Sequence, residues 1–366
     1  MRSIPIGLLA LMLVTFSCVS VRAVELVELY SRTVSVGCWG LSVNDSGVTC
    51  AIEVTSGDTL LAIYSLSGST IKRWTPPRGT QFEACTSDEG LVLAWYTNAV
   101  TLFGEDGREQ LWGKRADELW PDSISLSAVA ERVVFGDQPL NGSSTIWCFD
   151  TDGHQIWSEA LDSLAVDTDI SSNGQVLVGG EKYGLRYDSG VHAVYFYSEF
   201  GSLIWRHETD SPVIDVAVAH ELGIAVAGLD NGDLLVLNMA GDLLWSQTEA
   251  GGWIDLSRST GYVIAARQWG GVFRYTQAGE PTWSVDDPVI WGDRDGLCTD
   301  STGCVIAVVG APMICRGNKV QVLDADGLVL WEESSDSTVP CVSISPNGRY
   351  VAVSFARKLR LFEVVE

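Results

Sequence analysis

A strand, a glycine-bearing turn and a second strand carrying a tryptophan recur seven times along this chain. The pattern ends at Trp74, Trp112, Trp157, Trp205, Trp245, Trp283 and Trp331, with spacings of 38 to 48 residues. A period of about 40–45 residues suits a four-stranded sheet unit that cannot bury its faces alone and must stack on its neighbours. The turn dipeptides Asp106-Gly107, Asp152-Gly153 and Asp326-Gly327 tolerate positive φ and suit tight hairpins. The segments beside them alternate, as in Val320, Gln321 and Val322. Each indole offers about 150–250 Å² of burial. Packing between adjacent sheets therefore explains the tryptophans better than stacking on a sugar.

Two further strands separate successive signatures, as in VIDVAVA and IAVAGLD ahead of DLLVLN and Trp245. Each unit reads inner strand, second strand, third strand, outer tryptophan strand. After Trp331 come three strands, CVSISPNG, YVAVSFA and KLRLFEVV, with no fourth. At the other end VELVELYSR is a lone strand that aligns with an outer strand, with Tyr30 near the tryptophan position. Ring closure follows if the N-terminal strand completes the last unit, which removes exposed sheet edges. The expected fold is all-β: a single β-propeller over residues 24–366, with eight four-stranded blades. Seven blades follow if the N-terminal strand lies elsewhere.

The Gly-x-x-x-Trp ending, on a count of eight, resembles the pyrroloquinoline-quinone-like (PQQ-like) propeller repeat. The inner strand and SPNGRYVAV of the last unit resemble WD40-type repeats. The resemblance covers residues 24–366 and is specific for fold, not for function. Members with quinone chemistry carry a vicinal Cys–Cys pair and a calcium held by acidic and amide side chains. This sequence has no adjacent cysteines and no acidic cluster in a long insertion. The resemblance is therefore to non-catalytic members, such as scaffolds of outer-envelope assembly, and implies no cofactor.

The first 23 residues read as a signal peptide. Arg2 is followed by an apolar run from Ile4 to Val14, and Val21-Arg22-Ala23 offers a cleavage site. Lipid attachment at Cys18 and a retained anchor are the rival readings. No later apolar run approaches the ~20 residues of a spanning helix. The mature chain is expected to be secreted or extracytoplasmic, free or held by its N-terminus, and monomeric. Its net charge of −24, made more negative by loss of Arg2 and Arg22, repels nucleic acid and anionic membranes. Basic partners and cations remain open. Eight cysteines remain after Cys18, which suggests disulfides in an exported chain. Cys298 and Cys304 flank Thr299 to Gly303 and could bridge a hairpin. No Cys/His set has zinc spacing, and His154, His192, His207 and His220 are scattered.

One acidic position recurs near the start of the inner strands: Glu83, Asp122, Asp167, Asp215 and Asp255. The series breaks in the last two units, near Trp291 and at Cys341. Inner strands line a propeller's channel, so these carboxylates could ring one mouth and concentrate cations or a basic peptide. The competing reading is structural: such an acid accepts backbone N–H bonds from an adjoining loop. Asp-x-Asp-Gly at 150–153, 293–296 and 324–327 could open a calcium loop, but the later oxygen ligands are missing, and hairpin turns explain it better. No Gly-x-Ser-x-Gly, His-Glu-x-x-His or phosphate loop is present, so no catalytic residue and no metal ligand is assigned. The sequons at Asn44 and Asn141 carry little weight. Stretches 181–192 and 310–318 lengthen two units, and long loops often carry binding. Their charged residues, such as Lys182 and Arg316, read as solvated, and Cys315 could pair with a nearby cysteine.

These readings converge on an exported, non-enzymatic propeller that scaffolds a protein or cell-surface interaction. A cation- or ligand-binding sensor at the acidic mouth, with calcium as the candidate ion, is the second class. A quinone-dependent or polysaccharide-acting enzyme is the third.

Overall fold

The computed structural model describes residues 24–365 apart from 35–36, 56–58, 76–81, 88–89, 97–98, 105–108, 116–120, 128, 138–143, 182–190, 268–269, 286–295, 311–317, 336–340 and 356. The expected signal peptide, both sequence insertions except their end residues, Cys315, Asn141 and Trp291 lie outside the described residues.

Eight sheets of four antiparallel strands make up the chain. The inner strands of blades 1 to 8 are Gly37–Val43, Phe82–Thr86, Pro121–Ser127, Leu164–Ile170, Val213–Ala219, Trp253–Leu256, Leu297–Thr299 and Cys341–Ile344. Each touches the inner strand of the next blade, and the eighth touches the first, so the ring is closed. Closure works as the sequence suggests. The N-terminal strand Glu25–Thr33 pairs antiparallel with the last strand, Lys358–Val365, and becomes the outer strand of blade 8. Among the described residues no helix is long and apolar enough to cross a membrane.

The core lies between blades. Successive hydrophobic clusters draw residues from two neighbouring sheets, such as Leu177, Phe196 and Trp205 of blade 4 with Val216 and Ala227 of blade 5. Trp112, Trp157, Trp205, Trp245 and Trp283 each pack against the glycine turn of the next blade's outer hairpin. In four of them the indole N–H donates to a turn carbonyl, Trp112 to Thr151 at 2.9 Å, Trp205 to Met239 at 3.0 Å, Trp245 to Gln277 at 2.9 Å and Trp283 to Ala325 at 2.8 Å, whereas the Trp157 indole N–H is buried without a partner. The glycine of that turn has a left-handed backbone and lies flat under the ring. At Gly279, φ is +84° and an added Cβ would stand 2.8 Å from Trp245. Tyr30 performs the same task for blade 8, packing under Gly68 of blade 1.

Strand register corrects one tryptophan. A bulge precedes the tryptophan in the outer strands, setting Trp157 opposite Cys148 and Trp245 opposite Val236. In blade 1 the equivalent rung, opposite Ile63, holds Lys72, and Trp74 lies two residues further along. The Lys72 ammonium sits 4.5 Å from the centre of the Phe103 ring, and Trp74 meets the same ring edge-on at 5.9 Å. Cation and indole share the work that one indole does elsewhere.

Candidate functional site

An inner strand is a sheet edge. Its outward-pointing neighbour is the second strand of its own blade, and half of its backbone N–H groups face the channel without a ladder partner. Polar side chains on the adjacent inner strand can satisfy them. This requirement organises the channel.

Asp167 accepts the N–H of Val216 through Oδ2 at 2.9 Å, from blade 4 to blade 5. Asp215 accepts the N–H of Ile254 at 2.8 Å, from blade 5 to blade 6. Asp255 accepts the N–H of Thr299 at 2.7 Å, from blade 6 to blade 7, and its other oxygen accepts the N–H of Leu256 at 2.7 Å. Three of the five sequence-derived acids therefore clasp successive blades. The backbones of Glu83 and Asp122 lie on the inner strands of blades 2 and 3, and their side chains lie outside the described residues.

The five do not form one ring. Asp255 stands one residue from the end of its strand, opposite Ile264. The blade 4 residue at that level is Asp169, opposite Leu177, which the sequence reading passed over. Asp167 and Asp215 lie deeper, opposite Gly179 and Gly228, each just past a β-bulge. The signal that could have found Asp169 is the spacing Asp167-Thr168-Asp169, which puts two acids on one face of a strand.

Asp169 accepts the N–H of Val218 at 2.7 Å and receives Arg258 at 2.9 and 3.0 Å. Arg258 also donates to the carbonyl of Val218 at 2.8 Å, so one guanidinium of blade 6 ties down blades 5 and 4. Serine serves at the same level elsewhere. Ser343 Oγ accepts the N–H of Val43 at 3.1 Å, and Ser42 Oγ accepts the N–H of Thr86 at 3.0 Å.

Crowding sets the acidities. Burial, and then the neighbouring Asp167 carboxyl to which it hydrogen-bonds, hold Asp215 well above the ordinary carboxylate range. Burial pushes Asp255 up to about 6, opposed by the N–H bonds from Thr299 and Leu256 and by Arg258. Around Asp169, Asp255 and Arg258 the channel opens into a cavity of about 390 Å³. Thr86, Leu126, Asp169, Asp255, Arg258 and Ile344 contribute to its wall.

Other sequence candidates resolve simply. Asp150 to Gly153 and Asp324 to Gly327 are outer hairpin turns closed by backbone bonds, while Asp293 to Asp295 lie outside the described residues. Asp150, Asp152 and His154 bring one potential ligand atom each within 4.8 Å of one another. The Asp150 carboxylate, however, is engaged by the N–H of His154 at 2.8 Å. Cys298 and Cys304 are not bridged. Cys298 stands opposite Ala307, and Cys304 falls in the turn, so the hairpin does not set them face to face. Asn44 is buried, and its Oδ1 caps its own turn by accepting the N–H groups of Ser46 and Val48.

Three solved structures share this architecture over nearly their whole length. The C-terminal WD40 domain of Sif2 matches with a TM-score of 0.70 at 13% identity, covering 93% of this chain and 99% of that one. The fold is WD40-like. Sqt1 of Saccharomyces cerevisiae matches with a TM-score of 0.66 at 14% identity, covering 92% and 98%. BamB of Moraxella catarrhalis matches with 0.60 at 14%, covering 92% and 99%. At these identities the likeness is one of fold. No family model and no curated protein matches the sequence.

Proposed function

We propose that the protein is an exported, non-enzymatic propeller that acts as an interaction scaffold for a protein partner. The observation that carries this reading is the commitment of the channel carboxylates. Asp167, Asp169, Asp215 and Asp255 each accept a backbone N–H from the next blade. Groups that would serve as general acid, base or ligand set in an enzyme here hold the ring together. What the ring then offers is a rigid frame carrying turns, the usual location of recognition residues. Export rests on the N-terminal segment, with Arg2 ahead of the apolar run and Val21-Arg22-Ala23 behind it.

The test is site-specific photo-crosslinking in the protein's native envelope. A photoreactive residue is placed at Val129, Phe200 or Asn231, all solvent-exposed and on different turns. A discrete adduct with one protein is expected from at least one position. No adduct from any position, together with turnover by the purified protein on a panel of sugars and alcohols, overturns the reading.

A further inference from the structure

The two faces of the disc differ. In a four-stranded meander the first and third turns of every blade lie on one face. The second turns and the crossings between blades lie on the other. The cavity at the channel mouth, lined by Ser172, Arg258, Ser301 and Pro346, marks the first-turn face. The described chain also starts there: Glu25 pairs with Val365, beside the first turn of blade 8, where the N–H of Val364 donates to the carbonyl of Arg349.

Thirteen large apolar side chains are exposed among the described residues. All thirteen stand on that face or along the part of an outer strand leading down from it. Four sit at turn tips: Leu66 is 41% exposed, Val129 70%, Phe200 72% and Leu328 64%. Single exposed apolar residues are ordinary on a protein surface, but their confinement to one face is not. Carboxylates stand beside three of the tips: Glu131 near Val129, Glu199 next to Phe200 and Asp326 near Leu328. Of the arginines at the first turns, Arg258 is paired with Asp169 and Arg349 with Glu363, and Arg132, which follows Glu131, donates to the carbonyls of Ala130 and Glu131 in its own turn.

We infer that the face formed by the first and third turns is the docking surface, and that its occupant is a protein segment presenting apolar side chains flanked by lysine or arginine. The inference rests on the scaffold reading and names the face and the partner's chemistry. Apolar tips supply area to bury, and the interleaved carboxylates select a basic partner and disfavour an anionic membrane.

The experiment titrates the purified protein with fluorescently labelled helical peptides and follows anisotropy. One peptide combines leucine and lysine, a second replaces leucine by serine at equal charge, and a third replaces lysine by glutamate. Neutral phosphatidylcholine vesicles form a fourth arm. The leucine–lysine peptide should bind at least ten-fold more tightly than the other two. The triple variant Val129→Ser, Phe200→Ser, Leu328→Ser should weaken it at least ten-fold. Asn231→Ser, on the opposite face, should leave it unchanged. Equal binding of the serine–lysine peptide shows attraction by net charge alone and overturns the inference. Equal binding of the leucine–glutamate peptide, undiminished binding by the triple variant, or vesicle binding in place of peptide does so as well. Should the triple variant fail to fold, hydrogen exchange on the wild type decides: peptide protection of the second-turn face overturns the inference. Photo-crosslinks formed from Asn231 alone would leave the scaffold reading standing and remove this one.

Discussion

Replacing Asp215 by Asn should stabilise the protein at alkaline pH and flatten its response to acid. One carboxyl oxygen of Asp215 accepts the N–H of Ile254 at 2.8 Å, and the side chain also hydrogen-bonds to Asp167. Asp167 in turn accepts the N–H of Val216 at 2.9 Å. Two carboxyls bonded to each other need a proton between them, and removing it sets like charges in contact inside the channel. Asparagine has the same shape. Its Oδ1 keeps the bond from Ile254, and its Nδ2 donates to Asp167 at every pH. A hydrogen bond to a charged group contributes about 1.5–3 kcal/mol. Because Asp215 titrates above its unfolded value, its proton-linked stability is complete in acid and is lost as pH rises through the folded value. The variant carries no such loss. Taking roughly 2 °C per kcal/mol for a domain of this size, its melting temperature should exceed the wild type's by about 3–6 °C on the alkaline side of that value. The two should converge in acid. Calorimetric melts from acid to alkaline pH give both curves. A variant less stable than the wild type in alkali, or two parallel curves, would refute the account of a shared proton.

The wild type should become more stable in urea as pH falls from about 7 to about 4, because Asp255 rises from an ordinary 3.8 to about 6. A raised pKa places the stability on the acid side, and a shift of that size corresponds to about 3 kcal/mol. A midpoint that falls over this range contradicts the burial assigned to Asp255. Gly279→Ala should cost about 2 kcal/mol or more, since φ is +84° and the new Cβ would stand 2.8 Å from Trp245. Thermal melts and tryptophan fluorescence report it, and a neutral result removes the packing argument. Tyr30→Ala should cost about 3 kcal/mol and lower the melting of the whole ring, whereas Tyr30→Trp should be tolerated. Loss of protection confined to blade 8 in hydrogen exchange would show that closure is local.

The blade period, the order of strands and the closure of the ring are all legible in the sequence because each follows from a repeated covalent spacing. Tyr30 is legible for the same reason: it aligns with the tryptophans and lands on the same kind of glycine turn, at Gly68. Register is less legible. The displacement of Trp74 by Lys72 depends on where the outer strand bulges, and bulges are set by pairing, not by the local residues. The same blindness merged two levels of acid into one ring. A bulge between Ala165 and Asp167 and another between Val213 and Asp215 place those acids deep, while the strand ending at Leu256 puts Asp255 at the mouth beside Asp169. The Cys298–Cys304 pairing failed similarly, because counting across a turn does not say which residues the ladder sets opposite.

The direction of the channel's side-chain bonds gives a structural reason for acids to gather there. From blade 8 to blade 1 the acceptor is Ser343, from 1 to 2 Ser42, from 4 to 5 Asp169, and from 6 to 7 Asp255. In each case an oxygen on one blade takes the N–H of the blade that follows, never of the blade before. A closed ring of like units has one direction of travel, and the same remedy recurs at these four seams, while between blades 3 and 4 the Ser125 hydroxyl instead donates to the carbonyl of Thr168. Serine and aspartate both meet that need, and aspartate brings a charge that burial must then oppose, as the upward shift at Asp255 records. Channel acidity is thus a consequence of closing the ring. The features that closure does not require are the exposed apolar tips at Leu66, Val129, Phe200 and Leu328. Hydrophobic burial would favour covering them, and the fold leaves them on one face, so the selective constraint on that face is sought outside the chain.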